Sequence, residues 1–384
     1  MAQARVLVLA TLSTKAEETD YFLHQLSNHG VAASKIDLSL ETGGKIVDGP
    51  DKLSAMNAIA ERSIKEVVGL LDDGVRAVIG LGGGTGGEIA MQVLRALPVT
   101  FPKALITTLP FDPRFAAADS SIIFIPTLAD ICGLNTPLRQ VLENAAAMTA
   151  GLCKLRQPKG VIEAKTSVGI TALGATQAAV ASLVAGLKAR GQESTVFHAN
   201  GFGGAALSRF LQRGSFHALV DLTPHELTRI HIAGVHAQMP NRFRSGRHLP
   251  RVVLPGALNF IGLGQISTLP QNYLCRDHYE HSGYFSHVKL SRAEMQIVAK
   301  ALAKSLNQHT GDVTLIVPMG GFSHQDRPGG AIEDKDLRHV FLDAVGDTLD
   351  QKIALRVVPH HIGDPEVTEM ILDTLPTFQK DPNV

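Results

Sequence analysis

Short, uninterrupted apolar runs alternate with stretches of helical period along most of the chain. Residues 6–10 are all apolar, which is the pattern of a strand buried on both faces of a parallel sheet. Residues 17–30 put Phe22, Leu23 and Leu26 on one side of a helix that Gly30 ends. The pattern then predicts strands over 31–37, 76–79, 104–108 and 122–125, and helices over 53–71 and 137–152. Thr42-Gly43-Gly44 and Asp48-Gly49-Pro50 read as loop. Residues 153–166 carry Lys154, Arg156, Pro158, Lys159 and Gly160 without periodicity and read as a domain boundary. Beyond them the alternation resumes, with strands over 168–171, 195–197, 218–221, 252–254, 315–317 and 353–358. Helices follow over 177–190, after Gly204, and after Asp364-Pro365, an N-cap and first-turn pair. This order predicts an α/β fold of two Rossmann-like domains, 1–158 and 165–384. Each is an open, mainly parallel sheet with helices on both faces, and a cleft lies between them.

One stretch stands out. Gly82-Gly83-Gly84-Thr85-Gly86-Gly87 holds five glycines in six residues between a strand and an amphipathic helix. Glycines permit positive φ and close approach to a ligand, and a helix N-terminus favours an anion, most often phosphate. The alternative is a tightly packed strand–helix turn that binds nothing. Neither familiar nucleotide fingerprint is present. Gly82, Gly84 and Gly87 fit G-x-G-x-x-G, but in so glycine-dense a run the match is weak; no acidic residue ends the next strand at Thr107-Thr108, and no lysine follows as in a P-loop. A second glycine loop, Gly201-Phe202-Gly203-Gly204, follows His198 and again precedes an apolar helix.

Composition bounds the function. The chain has 384 residues, which favours two domains, and 45% apolar with 19% charged residues is typical of soluble globular proteins. Lys+Arg and Asp+Glu both number 36, so no bulk charge points to nucleic acid or an anionic membrane. No apolar run spans a bilayer, and the first residues run straight into a strand, so neither a membrane segment nor a signal peptide is expected. Cys132, Cys153 and Cys275 are odd in number and far apart, which fits reduced thiols in a cytoplasm. Cys275, Asp277, His278, His281 and His287 match no standard zinc spacing, so no metal site is assigned to them and a covering loop is expected there.

Several motifs in one order carry a resemblance over the whole chain. They are Thr11-Leu12-Ser13-Thr14-Lys15, the glycine loop, 129–135, 197–204, Asp221-Leu222-Thr223, Pro255-Gly256-Ala257-Leu258, Met319-Gly320-Gly321-Phe322-Ser323 and 361–365. Together they resemble the ATP-binding domain of the tobamovirus-resistance proteins of plants and its bacterial relatives of unassigned activity. The resemblance implies two Rossmann-like domains, ATP with Mg²⁺, and a homodimer, but no known reaction. Ser13 and Ala16 depart from the Asp-Thr-Lys-Gly that usually follows the first strand of the family.

The candidate nucleotide or phosphate site is Thr11, Thr14, Lys15, Gly82, Gly83, Gly84, Thr85, Gly86, Gly87, Thr107, Thr108 and Asp130. Asp130 is either a ligand group or a cap of the turn at 135–137. Acid–base candidates are His198, Asp221, Glu226, Asp326 and His361, each near a strand end or in a glycine-bounded loop. Thr223 and Glu226 alternatively form a capping box, and Asp364 an N-cap that leaves His361 free. Gly201, Gly203, Gly204, Thr223, Gly256, Gly321 and Ser323 are candidate substrate contacts. The reading is an ATP-dependent enzyme acting on a small polar or acidic metabolite at the cleft. A nucleotide sensor without turnover, and a nucleotide-free isomerase or lyase of phosphorylated sugar acids, are the alternatives.

Overall fold

The computed structural model describes residues 5–42, 45–46, 49–110, 112, 120–154, 167–234 and 239–376. The chain divides into two compact units, Met1–Val161 and Ile162–Val384. Most of the expected boundary stretch, together with Gly43, Gly44 and Asp48 of the expected loops, lies outside the described residues.

The first unit is built on a five-stranded parallel sheet in the order β2-β1-β5-β6-β7. Its strands are β1 (Arg5–Ala10), β2 (Ala32–Asp37), β5 (Val75–Leu81), β6 (Lys103–Thr107) and β7 (Ile123–Pro126). A two-stranded ribbon, β3 (Glu41–Thr42) with β4 (Lys45–Ile46), stands outside it. The central strands are the uninterrupted apolar runs because both of their faces are covered. Helices α1 (Leu12–Asn28) and α4 (Thr136–Cys153) bury Phe22, Leu26, Leu138 and Leu142 against one face. Helices α2 (Lys52–Leu70) and α3 (Gly84–Ala96) bury Met56, Ala60, Ile89 and Val93 against the other. The strand order turns between β1 and β5. In open α/β sheets, ligands sit beyond the carboxyl ends of the strands at such a switch point.

The second unit repeats the plan with six parallel strands in the order β16-β15-β11-β10-β8-β9. These are β8 (Ser167–Ala172), β9 (Glu193–His198), β10 (Ala218–Asp221), β11 (Arg251–Val253), β15 (Val313–Pro318) and β16 (Ala354–Val358). Its switch point lies between β8 and β10. The helices are α5 (Gln177–Ala189), α6 (Phe202–Gln212), α7 (Glu226–His231), α8 (Arg292–Leu306), α9 (Lys335–Gly346) and α10 (Pro365–Thr374). Helices α5 and α10 pack on one face, and α8 and α9 on the other.

The structure corrects the sequence reading in several places. The His-rich stretch expected to be a covering loop is instead part of an antiparallel sheet, β12-β14-β13, made of Phe260–Leu263, Phe285–Lys289 and His278–Ser282. His278 and His281 lie on β13, and His287 on β14. Helices α8 and α9 were not expected, although α8 opens on a legible capping box of Ser291 and Glu294. Helix α1 starts at Leu12, not after Lys15, and Lys15 takes a non-helical φ/ψ of −130°, 23° within it.

Candidate functional site

Two helix N-termini meet the switch point of the first unit, and they are treated differently. The turn after β1 is closed from β2. Asp37 accepts the Leu12 amide at 3.0 Å, and Ser39 Oγ accepts the Ser13 amide at 2.9 Å. Burial alone would raise the pKa of Asp37, but the Ser39 hydroxyl and the Leu12 and Ser39 amides pull it below the usual carboxylate range. The N-terminus of α3 has no such closure. Gly83 holds its N-cap position and offers no side chain, so none caps the first amides of the helix. A cavity of about 530 Å³ opens there, lined by Gly83, Gly84, Thr108, Pro126, Leu128, Ala129 and Asp130.

The glycines of this loop fall into two groups. None has positive φ, so the expected conformational reason for them does not apply among residues 82–87. Gly82 and Gly87 are required by packing. A Cβ at 82 would lie 2.7 Å from the Gly87 nitrogen, and one at 87 would lie 3.1 Å from the Gly82 oxygen. Gly86 faces Thr11, whose Cγ2 would be 3.1 Å from an added Cβ. Gly84 is different: nothing lies within 4 Å of the Cβ position, and the residue lines the cavity. The packed-turn reading therefore accounts for Gly82 and Gly87. Gly83 and Gly84 are the ones that open onto the cavity.

The other first-unit candidates gather around this point. The Thr11 and Thr14 hydroxyls are 3.2 Å apart beyond β1. Lys15 Nζ donates to the Ile131 carbonyl, next in sequence to Asp130 of the cavity wall. Thr107 is buried and its hydroxyl accepts the Leu109 amide, while Thr108 lines the cavity. Asp130 does not cap the turn at 135–137. Asn135 does, accepting the Leu138 amide at 3.0 Å, and this leaves the exposed Asp130 as the one carboxylate of the lining. Leu128 was not anticipated. It has φ 61° and a side chain 90% exposed at the cavity wall, a strained and unburied conformation of the kind that clusters at ligand sites.

In the second unit, three of the acid–base candidates are held inside ion pairs. Asp221 is buried, with Oδ1 2.7 Å from Arg242 Nη2, Oδ2 2.9 Å from Nη1, and the Thr171 hydroxyl donating to it. Burial would raise its pKa, but the Arg242 charge and these hydrogen bonds lower it. Glu226 shares the same guanidinium at 3.3 Å and is pushed upward by burial. Asp326 accepts the Phe322 and Asp334 amides and pairs with Arg338; burial lifts it to about 6. Neither the Thr223–Glu226 capping box nor the Asp364 side-chain cap forms. Thr223 Oγ1 meets Thr176 Oγ1 at 2.8 Å, and Asp364 accepts the His361 amide instead.

The second glycine loop is closed by its own residues. Asn200 accepts the Phe202 and Gly203 amides. A Cβ at Gly203 would strike the His198 backbone at 2.2 Å, and one at Gly204 would lie 2.5 Å from Glu226 Oε1. His198 ends edge strand β9, exposed, with its pKa lowered by partial desolvation and by Arg229. Gly256 and Gly321 also pack against backbone, 2.1 Å from the oxygens of Leu222 and Asp326 respectively if given a Cβ. Ser323 is buried and its carbonyl contacts His361 Nε2 at 2.8 Å.

Of the acid–base candidates, His361 lines a cavity of about 300 Å³, shared with residues 174–179, His324, Arg327, Ile362 and Gly363. Its Nδ1 accepts the Gly363 amide at 3.0 Å, and burial lowers its pKa. Sequence reasoning missed Arg327 and His324, although both lie in the glycine-bounded loop it had singled out. It also missed His225, which is fully buried with Nδ1 2.7 Å from the Ala257 carbonyl, and whose only sequence signal was its place beside Glu226. Cys132, Cys153 and Cys275 are free thiols. Among the described residues, no His/Cys/Asp/Glu group could hold a metal ion alone, and no helix is long and apolar enough to cross a membrane.

Comparison with known proteins gives one consistent answer. The model of the N-terminal domain of an uncharacterised protein family, UPF0261, matches residues 41–158, and that of its C-terminal domain matches residues 165–378. A UPF0261 protein of Mesorhizobium japonicum is 29% identical over 96% of this chain and 97% of its own length. One of Clostridium tetani is 28% identical over 94% and 96%. The ToMV resistance protein Tm-1 of Solanum lycopersicum is 28% identical over 96% of this chain, which matches 50% of that longer protein. These matches bear out the resemblance read from the motifs.

Proposed function

The chain belongs to the UPF0261 family, and on that premise we propose that its first unit binds ATP with Mg²⁺. The observation that carries the reading is the uncapped N-terminus of α3 opening into the cavity at the sheet's switch point. Phosphate oxygens accept the Gly84 and Thr85 amides, as helix N-termini favour. The volume, about 530 Å³, lies in the range of small-molecule sites. Pro126 and Leu128 supply apolar wall for the base. Asp130 is the group that fits Mg²⁺, which needs only one or two carboxylates when phosphates complete its coordination. The ion would neutralise phosphate charge. Lys15, released from the Ile131 carbonyl, would add a second positive group.

The finer reading is an ATP-dependent enzyme for a small polar or acidic metabolite, acting as a cytoplasmic homodimer. A nucleotide-binding protein without turnover is the second reading. It is favoured by the arginine pairs that occupy Asp221, Glu226 and Asp326. The test is calorimetric titration of ATP·Mg²⁺ into wild type and Gly84→Val. Saturable binding that the variant loses supports the nucleotide reading; equal binding by both removes α3 from it. ATP consumption in the presence of small acids separates enzyme from sensor.

A further inference from the structure

We propose that the second unit's cavity binds a small molecule bearing an oxyanion, carboxylate or phosphate, with Arg327 as its charge partner. This site is independent of the nucleotide reading. The cavity lies at the carboxyl end of β8, beside the second sheet's own switch point. No carboxylate lines it, while Arg327 and two imidazoles, His324 and His361, do.

The arginine has unused hydrogen-bonding capacity. Its Nε has no hydrogen-bond partner among the described residues but is closed to solvent, so the exposed Nη atoms are the ones a ligand reaches. The nearest acid, Asp364, lies 3.6 Å away, beyond hydrogen-bonding distance. Arg242, in the same unit, is closed on Asp221 at 2.7 Å. A guanidinium has five donors in a planar fork, which matches a two-oxygen acceptor.

The floor of the cavity adds donors. Helix α5 is 13 residues long, and Thr176 at its N-cap makes no side-chain cap bond. The Gln177 amide donates to the Gly174 carbonyl and the Thr176 hydroxyl is engaged by Thr223 and Leu173, so no side chain covers the amides of Ala178 and Ala179 where they line the cavity. The opposite wall is fixed in place. The His324 amide donates to the Ala175 carbonyl at 2.7 Å, and Asp326, turned inward to Arg338, holds the loop that presents Arg327. Gly363 leaves room for the guanidinium, since a Cβ there would lie 3.2 Å from Arg327 Nη2. His361 is a wall and not a donor, because both of its ring nitrogens are engaged by Ser323 and Gly363.

The experiment is calorimetric titration of the full chain with inorganic phosphate and, separately, with malonate, at constant ionic strength set by sodium chloride. Four proteins are compared: wild type, Arg327→Gln, Ala178→Asp and Gly84→Val. Arg327 is half-exposed, and an acid in a first helical turn favours the helix, so both second-unit variants should fold. The expected result is saturable binding of at least one anion, weakened about tenfold or more in both second-unit variants and retained in Gly84→Val, which removes only the anion that the first unit takes. The anion that binds identifies the ligand as phosphate-bearing or carboxylate-bearing. Absence of saturable binding by both anions, or unchanged affinity in either second-unit variant, overturns the proposal. ATP titration of the same four proteins keeps failure at this site distinct from failure at the first.

Discussion

Two neutral imidazoles in the second unit, His225 buried and His287 half-buried, should make it acid-sensitive over the range in which a free histidine titrates. His225 and His287 both contact Phe260, with ring centroids 4.8 Å and 4.0 Å from it. Burial, with Arg229 nearby, lowers the pKa of His225 to about 3; burial, His281 and Arg229 lower that of His287 to about 3. An unfolded histidine titrates at about 6.5. Both folded values are depressed, so the stability they contribute is fully present above about pH 6.5. It is lost as pH falls from there toward 3, because only the unfolded chain takes up the protons. Between pH 7 and pH 5 each histidine should cost about 2 kcal/mol. Urea unfolding at pH 7, 6 and 5 measures this, with the second unit's transition fitted separately from the first. His287→Gln should reduce the loss between pH 7 and 5 by about 2 kcal/mol, whatever it does to stability at pH 7. A variant that loses as much as wild type over that range would show that His287 is not held neutral.

The remaining expectations concern positions where packing and function have to be told apart. Asp221→Ala should lower the stability of the second unit by about 3–5 kcal/mol in urea, because it leaves the buried Arg242 with one carboxylate fewer; a change below about 1 kcal/mol would contradict the structural role. Gly82→Ala should destabilise the first unit by about 1–3 kcal/mol, because its Cβ would lie 2.7 Å from a backbone nitrogen. Gly84→Ala, with open space at the same atom, should melt within about a degree or two of wild type. Equal melting temperatures for the two would refute the division of the loop into packed and cavity-facing glycines.

Much of the fold was legible because it is written in local pattern. The apolar runs at β1, β5, β8 and β15 can only be strands covered on both faces, and they fall where the pattern placed them. The inserted antiparallel sheet was not legible. β13 is half-exposed and polar, with His278, Tyr279, Glu280, His281 and Ser282 in succession, so alternation is too weak to separate it from a loop. Helix α9 was missed although its cap, Asp334, and its apolar positions Leu337, Val340 and Phe341 are regular.

The surroundings of the candidate residues were only partly legible. Carboxylates at strand ends were found, but their partners lie at distances in sequence that follow no rule. Arg242 is 21 residues from Asp221, and Arg338 is 12 from Asp326. The closing of α1 by Asp37 and Ser39, 25 and 26 residues away, was equally hidden, and it is what leaves α3 as the open helix end. Glycine density marked the loop beside the cavity for two reasons at once, packing at Gly82 and Gly87 and access at Gly83 and Gly84, which only coordinates separate.

The most direct test of the central claim is a crystal structure of the chain grown with ATP and Mg²⁺. The account predicts phosphate density within hydrogen-bonding distance of the Gly84 and Thr85 amides, the base against Leu128, and the metal ion on the Asp130 side of the phosphates. Nucleotide bound in the second unit's cavity, or no nucleotide at either place at saturating concentration, would contradict it.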